Sequence, residues 1–276
     1  MIHSCCLTIA GSDSGGNAGV QADLRAFHAY GLHGCTVFAA LTAQNPFGVS
    51  AIHTVPSDFV AAQLDAVLGV YSIKALKTGM LSEPESIEVI ADRLAAHPEI
   101  ARVIDPVMIA TSGAKLVSDA AMEVIKAKLL PQATLITPNL PEAESLLGLA
   151  GEGRKANADM ARDLAGRLYD RYGCSVLVKG GHGVNSAAVD VLYDGQDFAE
   201  FAAPWIAHPV STHGTGCSLA AALAAELALD RGVSSAVKGA KHYVHQAIAN
   251  SYYVGPDCGV LGFVNQVNGE QCAVKS

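Results

Sequence analysis

The residues best suited to chemistry lie between Thr212 and Cys217, in the segment THGTGC that directly precedes an alanine-rich helical pattern. Its two glycines, Gly214 and Gly216, allow neighbouring backbone amides to point at one place, and the N-terminus of a helix favours an anion there. The segment therefore predicts an anion site, for example for a phosphoryl group in transfer. A loop that only lets a helix pack close to a sheet would explain the glycines, but not the threonine, histidine and cysteine beside them.

Cys217 ends that segment, where it could meet a hydroxyl group of a substrate. Its thiolate could accept a proton or position the substrate oxygen. The commoner role of a free cysteine is that of a small buried hydrophobe. The sequence leaves these readings open.

Two acidic residues, an amide and a lysine could serve a phosphate ligand with magnesium. The spacing of Asn139 and Glu142 could bring an amide and a carboxylate near Mg²⁺, directly or through water, but it equally fits a helix capping box. Asp105 could add negative charge toward the metal, or form a solvated turn before Pro106. Lys179 could neutralise phosphate as a point charge, or lie on the rim as an ordinary lysine at a strand end.

These residues need a scaffold that brings them to one edge. Short β-rich apolar runs alternate with longer helical patterns, which predicts an α/β fold with a mainly parallel central sheet flanked by helices on both faces. The predicted strands are 5–10, 36–40, 73–76, 102–104, 134–136 and 175–178, and the predicted helices are 18–30, 57–70, 84–97, 119–129, 156–172, 218–231 and 234–252. Residues 187–193 and 198–203, joined through Asp194 and Gly195, predict an antiparallel edge hairpin.

Polar or backbone-exposing residues follow each of the six predicted strands. In an open parallel sheet, ligands bind beyond the carboxyl ends of the strands. Each segment alone would be an ordinary turn, but their agreement predicts a binding face. The segments are 11–16, 44–45, 77–80, 105–106, 137–139 and 179–182.

The composition excludes several classes of protein. With 276 residues, 50% hydrophobic and 16% charged, the chain can bury a sizeable core, and we expect one domain over residues 1–276. A net charge of −8 argues against a broad nucleic-acid or membrane surface. Seven scattered cysteines without a C-x-x-C pair fit a reducing cytoplasm, and neither a signal peptide nor a membrane span is predicted.

Seven segments in chain order carry a family resemblance: AGSDSGGNAGVQAD at 10–23, ALTAQN at 40–45, KTGML at 77–81, DPVM at 105–108, TPNLPE at 137–142, KGGH at 179–182 and THGTGC at 212–217. They resemble the hydroxymethylpyrimidine and phosphomethylpyrimidine kinases of thiamine biosynthesis, which belong to the ribokinase-like superfamily and are related to pyridoxal kinases. The resemblance implies a ribokinase-like fold and ATP-dependent phosphorylation of 4-amino-5-hydroxymethyl-2-methylpyrimidine and then of its monophosphate. It also implies ATP and Mg²⁺ as cofactors and a cytoplasmic homodimer.

The resemblance also implies roles for individual residues. Gln44 would hydrogen-bond the pyrimidine, since an amide suits the edge of an aminopyrimidine. The pocket around that ring would be lined by Gly11, Asp23, Met80 and Val107. The nucleotide side would comprise Asn139, Glu142, Lys179, Thr212 and His213, with Glu142 and Asp105 toward the metal. The residues of the transfer step would be Gly214, Thr215, Gly216, Cys217 and Lys179.

Three alternatives remain open beside this reading. A pyridoxal or pyridoxine kinase shares the loop, a ligand-binding relative could have lost turnover, and a nicotinamide dehydrogenase is weakened because Leu219 stands where its fingerprint wants a third glycine. Two departures from the family pattern also stand out. Asn17 occupies a position where glycine is common, and the carboxyl-terminal tail lacks the frequent glycine- and histidine-rich ending.

Overall fold

The computed structural model describes residues 4–109, 116–149, 157–180 and 187–263, in which strands and helices alternate. The strands are β1 (Cys5–Asp13), β2 (His33–Asn45), β3 (Gly48–Thr54), β4 (Ile73–Thr78), β5 (Ala101–Ile104), β6 (Leu135–Ile136), β7 (Ser175–Val178), β8 (Ala187–Tyr193), β9 (Phe198–Pro204), β10 (Tyr252–Gly255) and β11 (Cys258–Val260). The predicted residues Gly181 and His182, the loop at 151–156 and the tail from 264 onward lie outside the described residues.

Seven of the described helices match the predicted ones apart from their ends, and one further helix, over Leu140–Leu147, was not among the predicted helices. The described helices are α1 (Gly19–Ala29), α2 (Ser57–Leu68), α3 (Pro84–Ala95), α4 (Asp119–Val124), α5 (Leu140–Leu147), α6 (Ala158–Tyr172), α7 (Thr215–Ala228) and α8 (Val233–Ala249). Helix α4 continues as a π-helical turn at Ile125–Leu129 and a 3₁₀ turn at Leu130–Gln132. The last predicted helix ends earlier than expected, because the chain turns into strand β10 at Tyr252.

The described strands β1 to β9 form one sheet in the order β3-β2-β1-β4-β5-β6-β7-β8-β9. Its centre, from β2 to β7, is parallel, and the predicted hairpin of β8 and β9 adds an antiparallel edge. The α/β fold is thus confirmed. Strand β3, which pairs antiparallel with β2 at the other edge, was not predicted, because it is largely exposed and lacks an apolar alternation.

Two apolar clusters cover the two faces of the sheet. One packs α2, α3, α4, α5 and α6 against one face, and the other packs α1, α7 and α8 against the opposite face. Helix α7 is buried along most of its length, as expected for a helix that is apolar all round. None of the described helices is long and apolar enough to cross a membrane.

The order of the strands brings the predicted polar segments together. From β1 the chain moves outward to β2 and then returns to β4 on the other side of β1, so the direction of winding reverses between β1 and β4. Parallel sheets bind ligands in the crevice at such a reversal. The carboxyl ends of β1, β2, β4, β5, β6 and β7 share this edge.

Candidate active site

Helix α7 begins three residues earlier than predicted, so that Thr215, Gly216 and Cys217 form its first turn. The first turn of a helix carries backbone N–H groups without intrahelical partners. No acidic side chain occupies this turn, and its three residues are partly exposed, so the N-terminus faces outward rather than into the core. This geometry suits the binding of an anion.

Gly214 caps this helix with a left-handed backbone, at a φ angle of 89°. A Cβ atom at this position would lie 1.9 Å from the backbone oxygen of Asn17, which is a forbidden overlap. The glycine therefore lets the start of α7 approach the loop after β1. Asn17 is itself buried and does not adopt a positive φ angle, so its replacement of the glycine common in the family introduces no left-handed strain.

We expect Gly214→Ala to lower the free energy of unfolding by at least about 2 kcal/mol, because it adds both left-handed strain and the overlap with Asn17. Gly166 in α6 is the matched control. A Cβ atom there makes only an ordinary contact at 3.8 Å, so Gly166→Ala should stabilise the protein by about 0.5–1 kcal/mol. Urea unfolding of both variants checks this, and equal effects of the two changes would contradict it.

Lys179 lies between two buried carboxylates. Its Nζ is 2.9 Å from Oδ1 of Asp105 and 3.9 Å from Oε2 of Glu142, and Thr137 Oγ1 donates to the same oxygen of Asp105 at 3.0 Å. Burial acts to lower the pKa of Lys179, but Asp105 and Glu142 outweigh it and raise the pKa. The amine is therefore protonated and held at the edge of the sheet.

The Lys179 cation faces the start of helix α7. A Cβ atom built on Gly216 would lie 3.7 Å from Nζ of Lys179 and 4.0 Å from Oδ2 of Asp105. A side chain at this position would fill the space between the helix N-terminus and the amine. The absence of one leaves room there for a small ligand group, next to both a cation and free amides.

Asn139 and Glu142 form a helix capping box, which is one of the two interpretations of their spacing. The Asn139 side chain accepts from the backbone N–H of Glu142 at 2.9 Å, and the Glu142 carboxylate accepts from the backbone N–H of Asn139 at 2.8 Å. Burial is the main cause that raises the pKa of Glu142; Asp105 adds to this and Lys179 opposes it. The cap fixes the carboxylate in place at the edge of the sheet.

The two carboxylates predicted to lie toward a metal, those of Asp105 and Glu142, do not form a preformed metal site. Within the described ranges, no group of three or more His, Cys, Asp and Glu side chains could hold a metal ion. Oδ1 of Asp105 contacts Lys179 and Thr137, so Asp105 is the partner of Lys179 in this structure, and its role toward a metal stays a prediction. Glu142 is the remaining carboxylate of the predicted pair.

Asp23 does not line an open pocket, contrary to the prediction. It is fully buried and accepts from Lys77 Nζ at 3.0 Å and from Thr8 Oγ1 at 2.6 Å. Burial raises the pKa of Asp23, although Lys77 opposes this. Lys77 was not assigned a role from the sequence; the available signal was a lysine that directly follows the apolar pair Ala75 and Leu76 within strand β4.

Cys217 is a free, partly exposed thiol. The buried ion pair of Asp23 and Lys77 lies close enough to affect its pKa. Burial raises the pKa of the Cys217 thiol; the nearby Lys77 lowers it, and Asp23 and Asp105 raise it further. The raising effects prevail, so the resting side chain is a thiol at neutral pH. A hydrogen bond from the backbone N–H of Gly19 also acts on the sulfur.

Gln44 is partly exposed at the end of β2 and belongs to a second polar cluster. Its side-chain oxygen lies 3.1 Å from Thr42 Oγ1, and its Nε2 lies 3.4 Å from Nε2 of His213. That His213 nitrogen is 3.7 Å from Oδ2 of Asp13. His213 was predicted on the nucleotide side, together with the exposed Thr212, but these contacts place it beside Gln44.

Asp13 was missed by the residue assignments, although it stands at the end of β1. Its carboxylate accepts from the backbone N–H groups of Gly15, Asn17 and Ala18 at 2.8, 3.0 and 2.8 Å. Burial acts to raise its pKa, but the hydrogen bonds from His213 and from these amides outweigh it and lower the pKa. Asp13 is therefore a carboxylate that holds the loop after β1 and faces His213.

The remaining predicted pocket residues lie at the same edge. A Cβ atom on Gly11 would come within 2.9 Å of Met80 Cε, so these two residues are in contact. Met80 and Val107 are half-buried, and the Val107 N–H donates to the backbone oxygen of Asp105 at 2.8 Å. They offer apolar surface at the ends of β1, β4 and β5.

Comparison with known proteins reveals a family match over most of the chain. The family model described as phosphomethylpyrimidine kinase matches residues 13–262. The hydroxymethylpyrimidine/phosphomethylpyrimidine kinase of Salmonella typhimurium is 43% identical over 246 residues, which are 89% of this chain and 91% of that protein. The thiamine biosynthesis bifunctional protein ThiED of Geobacter sulfurreducens is 43% identical over 94% of this chain, and the match spans 52% of that longer protein.

A solved structure supports the same fold. The ADP complex of Bacillus subtilis pyridoxal kinase superposes with a TM-score of 0.86 and 33% sequence identity, covering 95% of this chain and 97% of that one. The identity to the pyrimidine kinase of Salmonella typhimurium, at 43%, is higher than this. The fold is therefore ribokinase-like, and sequence similarity favours the pyrimidine kinases over the pyridoxal kinases.

Proposed function

Because the chain belongs to the phosphomethylpyrimidine kinase family, we propose that it transfers the γ-phosphoryl group of ATP to 4-amino-5-hydroxymethyl-2-methylpyrimidine and then to the monophosphate. One observation supports this best. The segment from Thr212 to Cys217 contacts both halves of the site: His213 lies beside Gln44, and Gly216 faces Lys179. The ring of an alcohol substrate and a transferring phosphoryl group would meet along this segment.

The described residues fit a nucleotide at the α7 end of the crevice. The open N-terminus of α7 and the protonated Lys179 supply donors and positive charge for phosphate oxygens. Mg²⁺ is bound in such sites mainly by phosphates and water with one or two carboxylates, and Glu142 would serve as that carboxylate. The metal would neutralise charge on the phosphates.

The transfer itself needs little covalent chemistry from the protein. The hydroxymethyl oxygen forms a bond to the γ-phosphorus, the bond from that phosphorus to the β–γ bridging oxygen breaks, and ADP leaves. In the second step, a phosphate oxygen of the monophosphate takes the place of the alcohol. The amides of Gly216 and Cys217 with Lys179 would stabilise the charge on the phosphoryl oxygens, and Asp105 would orient Lys179.

The alcohol proton passes to an oxygen of the transferred phosphoryl group as the new bond forms, and Cys217 is the group that we place against the alcohol oxygen. Because burial raises the pKa of its thiol, the resting thiol is a better positioning group than a ready base. In a loose transition state the proton leaves late, so alignment counts for more than early proton abstraction. We therefore assign Cys217 to holding the alcohol oxygen in line.

An assay of ADP formation tests the proposal directly. The aminopyrimidine alcohol, its monophosphate and pyridoxal are offered separately with ATP and Mg²⁺, and we expect turnover with the first two. Robust turnover of pyridoxal with none of the pyrimidine would reverse the ranking. Affinity for the pyrimidine without ADP formation would favour the non-catalytic relative instead.

Replacement of Gln44 by Ala should raise the KM for the pyrimidine about tenfold, because it removes hydrogen bonds to the ring and leaves the polar ring atoms unpaired. The KM for ATP should stay within about twofold, since the Gln44 side chain contacts Thr42 and His213 at the pyrimidine end. Steady-state kinetics with each substrate varied in turn check this. An unaltered pyrimidine KM would remove Gln44 from the pocket.

We also propose one kinase domain over residues 1–276, acting as a cytoplasmic homodimer. Support for a dimer comes from the exposed apolar side chains of the hairpin formed by β2 and β3, where Leu41, Phe47 and Ile52 are 45%, 69% and 45% exposed. Support for a reducing compartment comes from the free thiols of Cys6, Cys35, Cys174, Cys217 and Cys258. Sedimentation equilibrium tests the dimer, and a monomer at micromolar concentration would refute it.

A further inference from the structure

The side-chain amide of Gln44 lies between the hydroxyl of Thr42 and the imidazole of His213, and only one orientation of the amide satisfies both neighbours. Thr42 Oγ1 lies 2.8 Å from the backbone oxygen of Ser12 and 3.1 Å from the side chain of Gln44. A hydroxyl group has one proton to donate and can also accept. The shorter contact is to a carbonyl oxygen, which can only accept, so the threonine proton points to Ser12. Toward Gln44, Thr42 must therefore accept.

The partner of an accepting Thr42 must be the amide nitrogen of Gln44, which carries two protons. Turning the amide over puts its oxygen where Nε2 lies in the structure, at 3.4 Å from Nε2 of His213. On this side a donor is required, and Nε2–H of His213 provides it. The same N–H faces the carboxylate of Asp13 at 3.7 Å, which favours a proton on Nε2 over the other tautomer.

Burial and the loop hold this arrangement in place. Asp13 is 3% exposed and cannot turn away, because three backbone N–H groups occupy its oxygens. The backbone of Gln44 is fixed as well: Ser14 Oγ accepts from its N–H and donates to its carbonyl oxygen, both at 2.8 Å. The rotation of the Gln44 amide is the remaining freedom, and Thr42 and His213 stand on its two sides.

We propose that His213, oriented by Asp13, is a specificity-determining positioning residue that holds the Gln44 amide with its oxygen toward the imidazole and its nitrogen toward Thr42, which exchanges Oε1 and Nε2 relative to their positions beside Thr42 and His213 in the structure. One N–H and one oxygen lone pair of the amide are then left for the substrate. This pattern is complementary to a ring that presents an acceptor nitrogen beside an exocyclic amino group, which is the edge of an aminopyrimidine. The inference rests on the proposed function for the identity of the ring.

Kinetic variants separate this role from a nucleotide role for His213. In His213→Ala, the pyrimidine KM should rise about tenfold, while kcat and the KM for ATP stay within about threefold. His213→Gln should recover most of the loss, because its amide N–H can donate over a similar reach. Thr42→Val, which removes the acceptor on the other side, should raise the same KM. His28→Ala, an exposed histidine near the end of α1, is the control and should change neither KM.

The opposite results overturn the inference. A pyrimidine KM within about twofold of the unmodified protein in both His213→Ala and Thr42→Val would exclude a positioning role. A rise in the KM for ATP alone would return His213 to the nucleotide side. Thermal unfolding of each variant shows whether a KM change comes from loss of folding. If His213→Ala is destabilised, the pyrimidine KM of His213→Gln decides between a positioning role and a structural one.

A measurement without substrate distinguishes failure of this inference from failure of the proposed function. In an isotope-edited NOE spectrum of the unmodified protein, the side-chain NH₂ of Gln44 should show cross-peaks to Thr42 and not to the ring protons of His213. The reverse pattern overturns the inference even if the pyrimidine is phosphorylated. An inactive protein with the expected pattern overturns only the proposed function.

Discussion

Lys179→Met is expected to lower kcat by about a thousandfold, the largest effect that the site predicts. Its ammonium group lies 3.7 Å from the Cβ position of Gly216, so it faces the space where the phosphoryl group would pass the helix N-terminus. Methionine keeps the length of the side chain and removes the charge. The positive charge acts most strongly when negative charge moves between oxygens, so kcat should fall more than the KM for either substrate rises.

The same change has a structural cost that must be measured separately. Asp105 is 2% exposed, and without Lys179 its buried carboxylate loses the ammonium group that lies 2.9 Å from it. We expect the free energy of unfolding to fall by about 2–3 kcal/mol, with some relief because the Lys179 side chain is partly exposed.

The double variant Lys179→Met with Asp105→Asn removes both charges and should restore most of this stability. Its kcat should stay low, because the cation is still missing. Lys128→Met is a matched control, since Lys128 forms an exposed pair with Glu88 and should lose neither stability nor activity. Recovery of kcat in the double variant would show that Lys179 matters for folding alone.

Cys217→Ala should lower kcat about a hundredfold with little change in the KM for the pyrimidine or ATP. The thiol lies in the first turn of α7, where it would touch the attacking oxygen, and alanine there removes the contact without disturbing the helix. Cys258→Ala is the control, because Cys258 is likewise a free, partly exposed thiol but lies on β11. If kcat of Cys217→Ala stays near that of the control, Cys217 has no part in the chemistry.

The pH profile distinguishes a positioning thiol from a thiolate base. The pKa of Cys217 is raised by burial above its ordinary value of 9.0, so the thiol form persists throughout neutral pH. A positioning thiol predicts a kcat that is flat from about pH 6.5 to 8.5, whereas a required thiolate predicts an increase of about tenfold per pH unit over that range. A steep rise in the unmodified protein that disappears in Cys217→Ser would establish the base.

The alternation of apolar runs and helical patterns was enough to predict the fold class, because each strand of a parallel sheet must be followed by a helix that covers it. The polar segments at the strand ends could also be predicted from the sequence. Residues such as Gln44, Asp105 and Lys179 directly follow apolar runs, where each strand ends. Similar reasoning failed for β3, whose exposed residues carry no period.

Tertiary structure alone decided which polar residues meet. Along the chain, Asp23 and Lys77 are 54 residues apart, and their spacing contains no sign that burial would force them into one ion pair. His213 stands 169 residues from Gln44, and only the packing of the start of α7 beside the end of β1 brings the two side chains together.

The sequence by itself therefore determined the kind of fold and the types of residue that meet at the carboxyl ends of the parallel strands. These depend on local periodicity and on turns, which short stretches of chain encode. The partners of each charge and the orientation of each amide depend on distances between strands and helices that are remote in sequence. Burial then selects the pairings, because a charge or a polar group without a partner is too costly in the interior.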